Sequence, residues 1–153
     1  MDKQLHPAHC AVLNSVSYRD HAVPTVLKLR EAAYKLGFAS KARAVKQWQK
    51  LIQLGLEHVF HAVTISEGTG SEALTVDKLS KTLERLGNVK PELSVLVGSG
   101  LTKEIALANA VKMTTARIKT GAHRTSTPKA PDETPAFEIS KLSDILEILR
   151  TSK

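Results

Sequence analysis

Apolar positions in the first third of the chain recur at helical spacing. Residues 7–17 predict a short helix, with Pro7 at the first position, where its missing N–H costs nothing. Val26, Leu29, Ala33 and Leu36 predict a second helix, opened near Pro24 and stopped by Gly37. Ser40 is placed to cap a third helix over Lys41–Leu54, with a stripe of Ala44, Val45, Trp48, Leu51 and Ile52 and a stop at Gly55. The β-branched run His58–Ile65 predicts a strand. Thr75 then caps a helix carrying Leu79, Leu83 and Leu86, which Gly87 ends. Leu93–Val97 reads as a short strand, broken by Gly98-Ser99-Gly100, and Thr102 opens a long helix to about Thr120. Pro and Ser/Thr crowd His123–Pro135, which reads as a linker. Ile139, Leu142, Leu146 and Leu149 alternate at spacings of three and four and predict a terminal helix with an apolar seam.

The expected fold class is therefore α+β and helix-rich: an N-terminal winged helix-turn-helix, a small mixed α/β part and a C-terminal helix. The expected divisions are 1–74, 75–121, a flexible linker over 122–138 and a helix over 139–153.

Composition adds a charge argument. The 153 residues carry a formal net charge of +7, and only 4% are aromatic, which disfavours a base-stacking platform for single strands. The surplus is concentrated. Residues 19–50 hold eight Lys or Arg against two acids, and 103–129 hold six against one. Such blocks favour an anionic partner. The single cysteine, Cys10, excludes an internal disulfide. No apolar run approaches membrane-spanning length, and no signal peptide is evident at Met1. The expected location is cytoplasmic, or the nucleoid or nucleus, with no membrane partner.

The helix over 41–54 presents Arg43, Lys46 and Lys50 on one side, with Gln47 nearby. Two helices joined by a glycine turn can place the second in a DNA major groove. Leu36-Gly37-Phe38, Ser40, Ala44, Leu51 and Gly55 have a spacing that resembles the N-terminal winged helix of LexA-type repressors, with Trp48 at one apolar position. The resemblance covers about residues 5–74 and implies a β-hairpin wing near 56–74. It does not extend to that family's self-cleaving domain, because the chain has no Ala-Gly bond. It implies duplex DNA as partner. Ser40, Lys41, Arg43, Lys46, Gln47 and Lys50 are the expected contacts, arginine and glutamine reading bases and lysines holding phosphates. Arg117 and Lys119 of the second basic block would join them. A homodimer or protein partner is expected through Ile139, Leu142, Leu146 and Leu149. No cofactor, metal or catalytic group is expected.

Two other readings stand beside this one. A winged-helix shape can serve as a protein-interaction adaptor. Alternatively, the strand–Gly98-Ser99-Gly100–helix unit can cradle a phosphate with backbone N–H groups, giving a small α/β phosphate-ligand protein centred on 98–102. That turn lacks a dinucleotide fingerprint and a Walker lysine. His6, His9, Cys10, His58 and His61 match no zinc spacing, and Cys10 reads as a small buried residue.

Overall fold

A computed structural model describes residues 10–13, 22–40, 44–56, 58–65, 75–98, 104–119 and 127–151. Six strands form one sheet: β1 (Cys10–Leu13), β2 (Lys35–Ser40), β3 (Ala62–Ile65), β4 (Ser94–Gly98), β5 (Thr114–Ile118) and β6 (Phe137–Ile139). Their order is β3-β2-β1-β4-β5-β6, and every pairing is parallel. The helices are α1 (Ala22–Glu31), α2 (Ala44–Gln53), α3 (Val76–Arg85), the short α4 (Ala106–Ala110) and α5 (Asp144–Thr151). Strands from both sides of residue 74 share this sheet.

Two-residue alternation explains the layering. Ala11 and Leu13 of β1, Leu36 and Phe38 of β2, Val95 and Val97 of β4 and Ala116 and Ile118 of β5 face one side. They pack there with Val26 and Leu29 of α1, Leu51 of α2 and Ile145 and Leu149 of α5. Cys10, Val12, Ala39 and Leu96 face the other side and meet Leu79 and Leu83 of α3 and Ala108 of α4. The result is a doubly wound helix–sheet–helix sandwich, which overturns the expected helix-rich winged helix-turn-helix.

The physical reasons for the difference are local. Cys10-Ala11-Val12-Leu13 is fully buried on both faces. A strand covered on both sides reads as a continuous apolar run, which periodicity cannot separate from a helical segment. Leu36-Gly37-Phe38-Ala39-Ser40 is the body of β2, not a helix end and turn. Gly37 is there because α3 comes close, not to supply a left-handed stop. A Cβ built on it would lie 2.9 Å from Thr82 Cγ2. The helix expected to run from Thr102 to Thr120 ends at Ala110, where Lys112 adopts φ 69° and turns the chain into β5. The terminal helix starts only at Asp144, and Ile139 closes β6.

The strand at β3, the strand at β4 and the helix capped by Thr75 appear close to where the pattern put them. Thr75 Oγ1 accepts from Lys78 N at 3.2 Å, and Gly87 ends α3 with φ 102°. The apolar seam, by contrast, faces inward. Ile139, Leu142 and Leu149 are buried against the sheet, and Leu146 is half-buried on the same cluster. They are spent on the core, which corrects the expectation that they offer a dimer or partner surface. Among the described residues, no helix is long and apolar enough to cross a membrane.

Candidate active site

A parallel sheet in the order 3-2-1-4-5-6 reverses direction once. The connection from β1 leads to β2 on one side, whereas β4 pairs with β1 on the other. At that point the two neighbouring connections leave the sheet to opposite faces and open a crevice beyond the carboxyl ends of the strands. Here the two strands that flank the switch point end at Leu13 of β1 and Gly98 of β4. Ser40 ends the next strand over, and Arg117 is the register partner of Gly98 on the other side.

The chemistry at this edge has a carboxylate. Glu104 and Ile105 have π-helical backbone that leads into α4, and Glu104 is 2% exposed. It is the one fully buried acid among the described residues. A carboxylate in such a place is retained only with compensating partners or for chemistry. Placed beside the switch point, it can hold a cation or exchange a proton with a bound group. Among the described residues no three His, Cys, Asp or Glu side chains come together, so no multidentate protein cage for a metal is formed by them. Glu104 is where a cation at this edge would find its protein ligand.

Two cations stand on the neighbouring strand. Arg117 is 2% exposed, and its Nη1 donates to Glu138 Oε2 of β6 at 2.9 Å. Lys119, just beyond β5, lies on the same face, with Nζ 3.6 Å from the same oxygen. The Lys119 backbone N–H donates to Ile139 O at 2.9 Å and fixes the residue to the end of β6.

The structure distributes the sequence-predicted contacts widely. Ser40 ends β2 at the candidate site. Lys41 and Arg43 lie outside the described residues. Lys46 and Gln47 belong to α2, and Lys50 is a half-buried residue of its last turn. Arg117 is enclosed and ion-paired, so it offers no surface to a duplex; Lys119 of the second basic block lies just past the carboxyl end of β5. Residues 99–102 of the glycine turn lie outside the described residues, but Gly98 places the start of that turn at the switch point. Glu104 was missed by sequence reading. Its signal was an acid six residues after a strand-ending glycine, inside a segment read as a long helix.

Comparisons with known proteins agree with this geometry. Residues 3–118 match the family of haloacid dehalogenase-like hydrolases. A curated glyceraldehyde 3-phosphate phosphatase from Methanopyrus kandleri is 43% identical over 128 residues, covering 84% of this chain and 54% of that protein. A HAD phosphatase structure from Thermococcus onnurineus shares 30% identity with a TM-score of 0.66 over 84% of this chain and 56% of the other. The HAD-hydrolase YfnB from Bacillus subtilis superposes with a TM-score of 0.72 at 23% identity over 85% of this chain and 55% of the other, which bears on fold alone. The chain spans about half the length of the curated relatives it matches. These matches overturn three expectations: the resemblance to LexA-type repressors, a DNA-binding regulator with double-stranded DNA as partner, and a protein without enzymatic chemistry. The matched pattern at 36–40 arose from a buried strand whose glycine accommodates a helix.

Proposed function

This chain belongs to the haloacid dehalogenase-like hydrolase family, and we propose that it holds the phosphate group of a small phosphorylated sugar for hydrolysis, with glyceraldehyde 3-phosphate as the leading substrate. The observation that carries the reading is the β1–β4 switch point, with Glu104 buried six residues after Gly98, where β4 ends. Five curated relatives, each matched over at least 80% of this chain, carry the same phosphatase name. Backbone N–H groups of a glycine-containing segment such as Gly98-Ser99-Gly100 can approach phosphate oxygens closely. The edge also carries Lys119, and the chain as a whole is cationic, which favours a phosphate dianion. Glu104 is positioned to hold a cation against that phosphate or to manage a proton during ester cleavage. A reduced, buried Cys10 is compatible with action in the cytoplasm.

The test has two readouts. The chain is incubated with glyceraldehyde 3-phosphate and released inorganic phosphate is measured. Binding of inorganic phosphate is measured separately by calorimetry. Hydrolysis that Glu104→Gln lowers at least about a hundredfold supports the whole reading. Binding without hydrolysis assigns this chain the phosphate-holding role alone. Absence of both sinks the proposal.

A further inference from the structure

At the amino edge of the sheet, the end remote from the candidate active site, positive charge gathers where β2 and β3 begin. Three exposed side chains converge there: Arg30 in the last turn of α1, Lys35 at the start of β2 and His61 at the entry to β3. Arg30 Nη1 donates to Val59 O, which holds the guanidinium against the segment entering β3. Leu36 faces the α1 side of the sheet, so Lys35 points to the α3 side. There its Nζ lies 2.6 Å from the point where a Cβ on Gly87 would stand. The His61 ring feels both charges: its pKa is lowered first by partial burial, then by Arg30, and to a smaller extent by Lys35.

Little nearby neutralises this charge. Among the described residues, neither Arg30 nor Lys35 has a carboxylate within ion-pair distance. The C-terminal ends of α1 and α3 stand beside the two cations, but a helix end offers about half a negative charge against each full positive one. Like charges held together without a counter-ion are unfavourable in themselves, and perturbed groups of this kind gather at functional sites. His61 adds a donor to the pair. Its Nδ1 accepts from Leu36 N at 2.9 Å, so the neutral ring carries its proton on Nε2, on the far side from that amide. Arg30 also keeps N–H groups beyond the one given to Val59 O.

We propose that Arg30, Lys35 and His61 form an oxyanion site at the amino edge, separate from the switch point, that takes one phosphate-type dianion. The two cations hold its charge from the two faces of the sheet, and His61 Nε2–H donates to one of its oxygens. The cluster spans the starts of two neighbouring strands, about 4.8 Å apart. That suits one compact tetrahedral group and not the row of phosphates that a nucleic acid presents. The bound anion joins α1, β2 and the entry to β3, and it supplies the counter-charge that the described residues lack.

The experiment follows the histidine ring signals of the full chain by NMR near pH 7.5, at constant ionic strength, as inorganic phosphate or methyl phosphate is added. The His61 signals, assigned by their loss in His61→Asn, are expected to show the proton on Nε2 and to shift saturably. Lys35→Met and Arg30→Met are each expected to raise the Kd read from that shift about threefold to tenfold. Lys129→Met removes the same charge in the segment leading to β6 and is expected to leave Kd within about twofold. Tighter binding of inorganic phosphate identifies the free ion as the occupant, and tighter binding of methyl phosphate identifies a phosphate monoester. Circular dichroism checks each variant; if Arg30→Met is unfolded, Lys35→Met decides alone. Equal weakening in Lys129→Met reduces the effect to net charge and overturns the proposal. A ring protonated on Nδ1 overturns the donor role of His61. Phosphate that binds without moving the His61 signals overturns this site and leaves the switch point standing.

Discussion

Gly37 lies directly beneath Thr82. A Cβ at position 37 would be 2.9 Å from Thr82 Cγ2 and 3.1 Å from Leu86 Cδ1, so α3 sits on β2 at a separation that only glycine allows. Thr82 cannot simply swing away. Its hydroxyl donates to Lys78 O at 2.8 Å and meets the Thr64 hydroxyl of β3 at the same distance. Gly37→Ala is therefore expected to destabilise the fold by about 1–3 kcal/mol, as overpacking does in a rigid core. Urea denaturation at constant m-value measures it. Thr82→Ser in the same chain removes the clashing methyl and should recover part of the loss. A neutral or stabilising Gly37→Ala would mean that α3 does not approach β2 as described.

The same glycine shows why the sequence misled. Leu36-Gly37-Phe38 satisfies a helix–turn–helix pattern, and so does a buried strand with one small residue under a helix. Local chemistry does not distinguish the two. The distinguishing facts are non-local: the β1 pairing of Val12 with Gly37, and the arrival of α3, whose Thr82 lies far along the chain from Gly37. Elements governed by local signals were legible. The Thr75 cap, the Gly87 stop and the apolar run at β4 stand where propensity put them. Met113 to Ile118 was hidden because Arg117 interrupts its apolar alternation and pairs sideways with Glu138. At the candidate site, the apolar strand ending in Gly98 was legible, but Glu104 was not, since its burial depends on where α4 folds.

Thr75 offers the simplest local test. Its side chain satisfies the Lys78 N–H, one of the amides that a helix N-terminus leaves without an internal partner. Thr75→Ala is expected to cost about 1 kcal/mol, and Thr75→Ser or Thr75→Asp much less. Chemical denaturation of the three variants checks the order. Equal losses in all three would show that the cap does not hold α3.

His61 makes the fold sensitive to acid. Its Nδ1 accepts from Leu36 N at 2.9 Å, and its backbone N–H donates to Leu36 O at 2.8 Å, closing the β2–β3 pairing at its entry. Burial first, and then the positive charge of Arg30, lower its pKa below the ordinary 6.5. With a lowered folded-state value, the unfolded chain binds the proton more readily. The stabilisation is thus complete above about pH 6.5 and is lost as pH falls through the folded-state value. Solvent around this exposed ring keeps the effect small. Thermal melts between pH 8 and 5 should show a decline that His61→Asn, whose amide oxygen can accept without titrating, reduces. An unchanged pH slope in that variant would remove His61 as the cause.

Cys10 is expected to be chemically silent in the folded protein. It faces α3 and α4 at the start of the central strand β1, with none of its surface exposed. Burial pushes its thiol pKa up to about 12, with the charge of Lys35 only partly opposing that shift. The nucleophile in thiol chemistry is the thiolate, and at pH 8 a group with that pKa is ionised to about one part in ten thousand. A thiol reagent should therefore modify the native chain only as fast as it opens, and should react at once in denaturant. Rapid stoichiometric labelling of the native protein would place Cys10 at a surface and contradict β1 as the covered centre of the sheet. Slow labelling that accelerates in Gly37→Ala would tie the opening to the α3–β2 contact, since Cys10 packs under the same helix as Gly37.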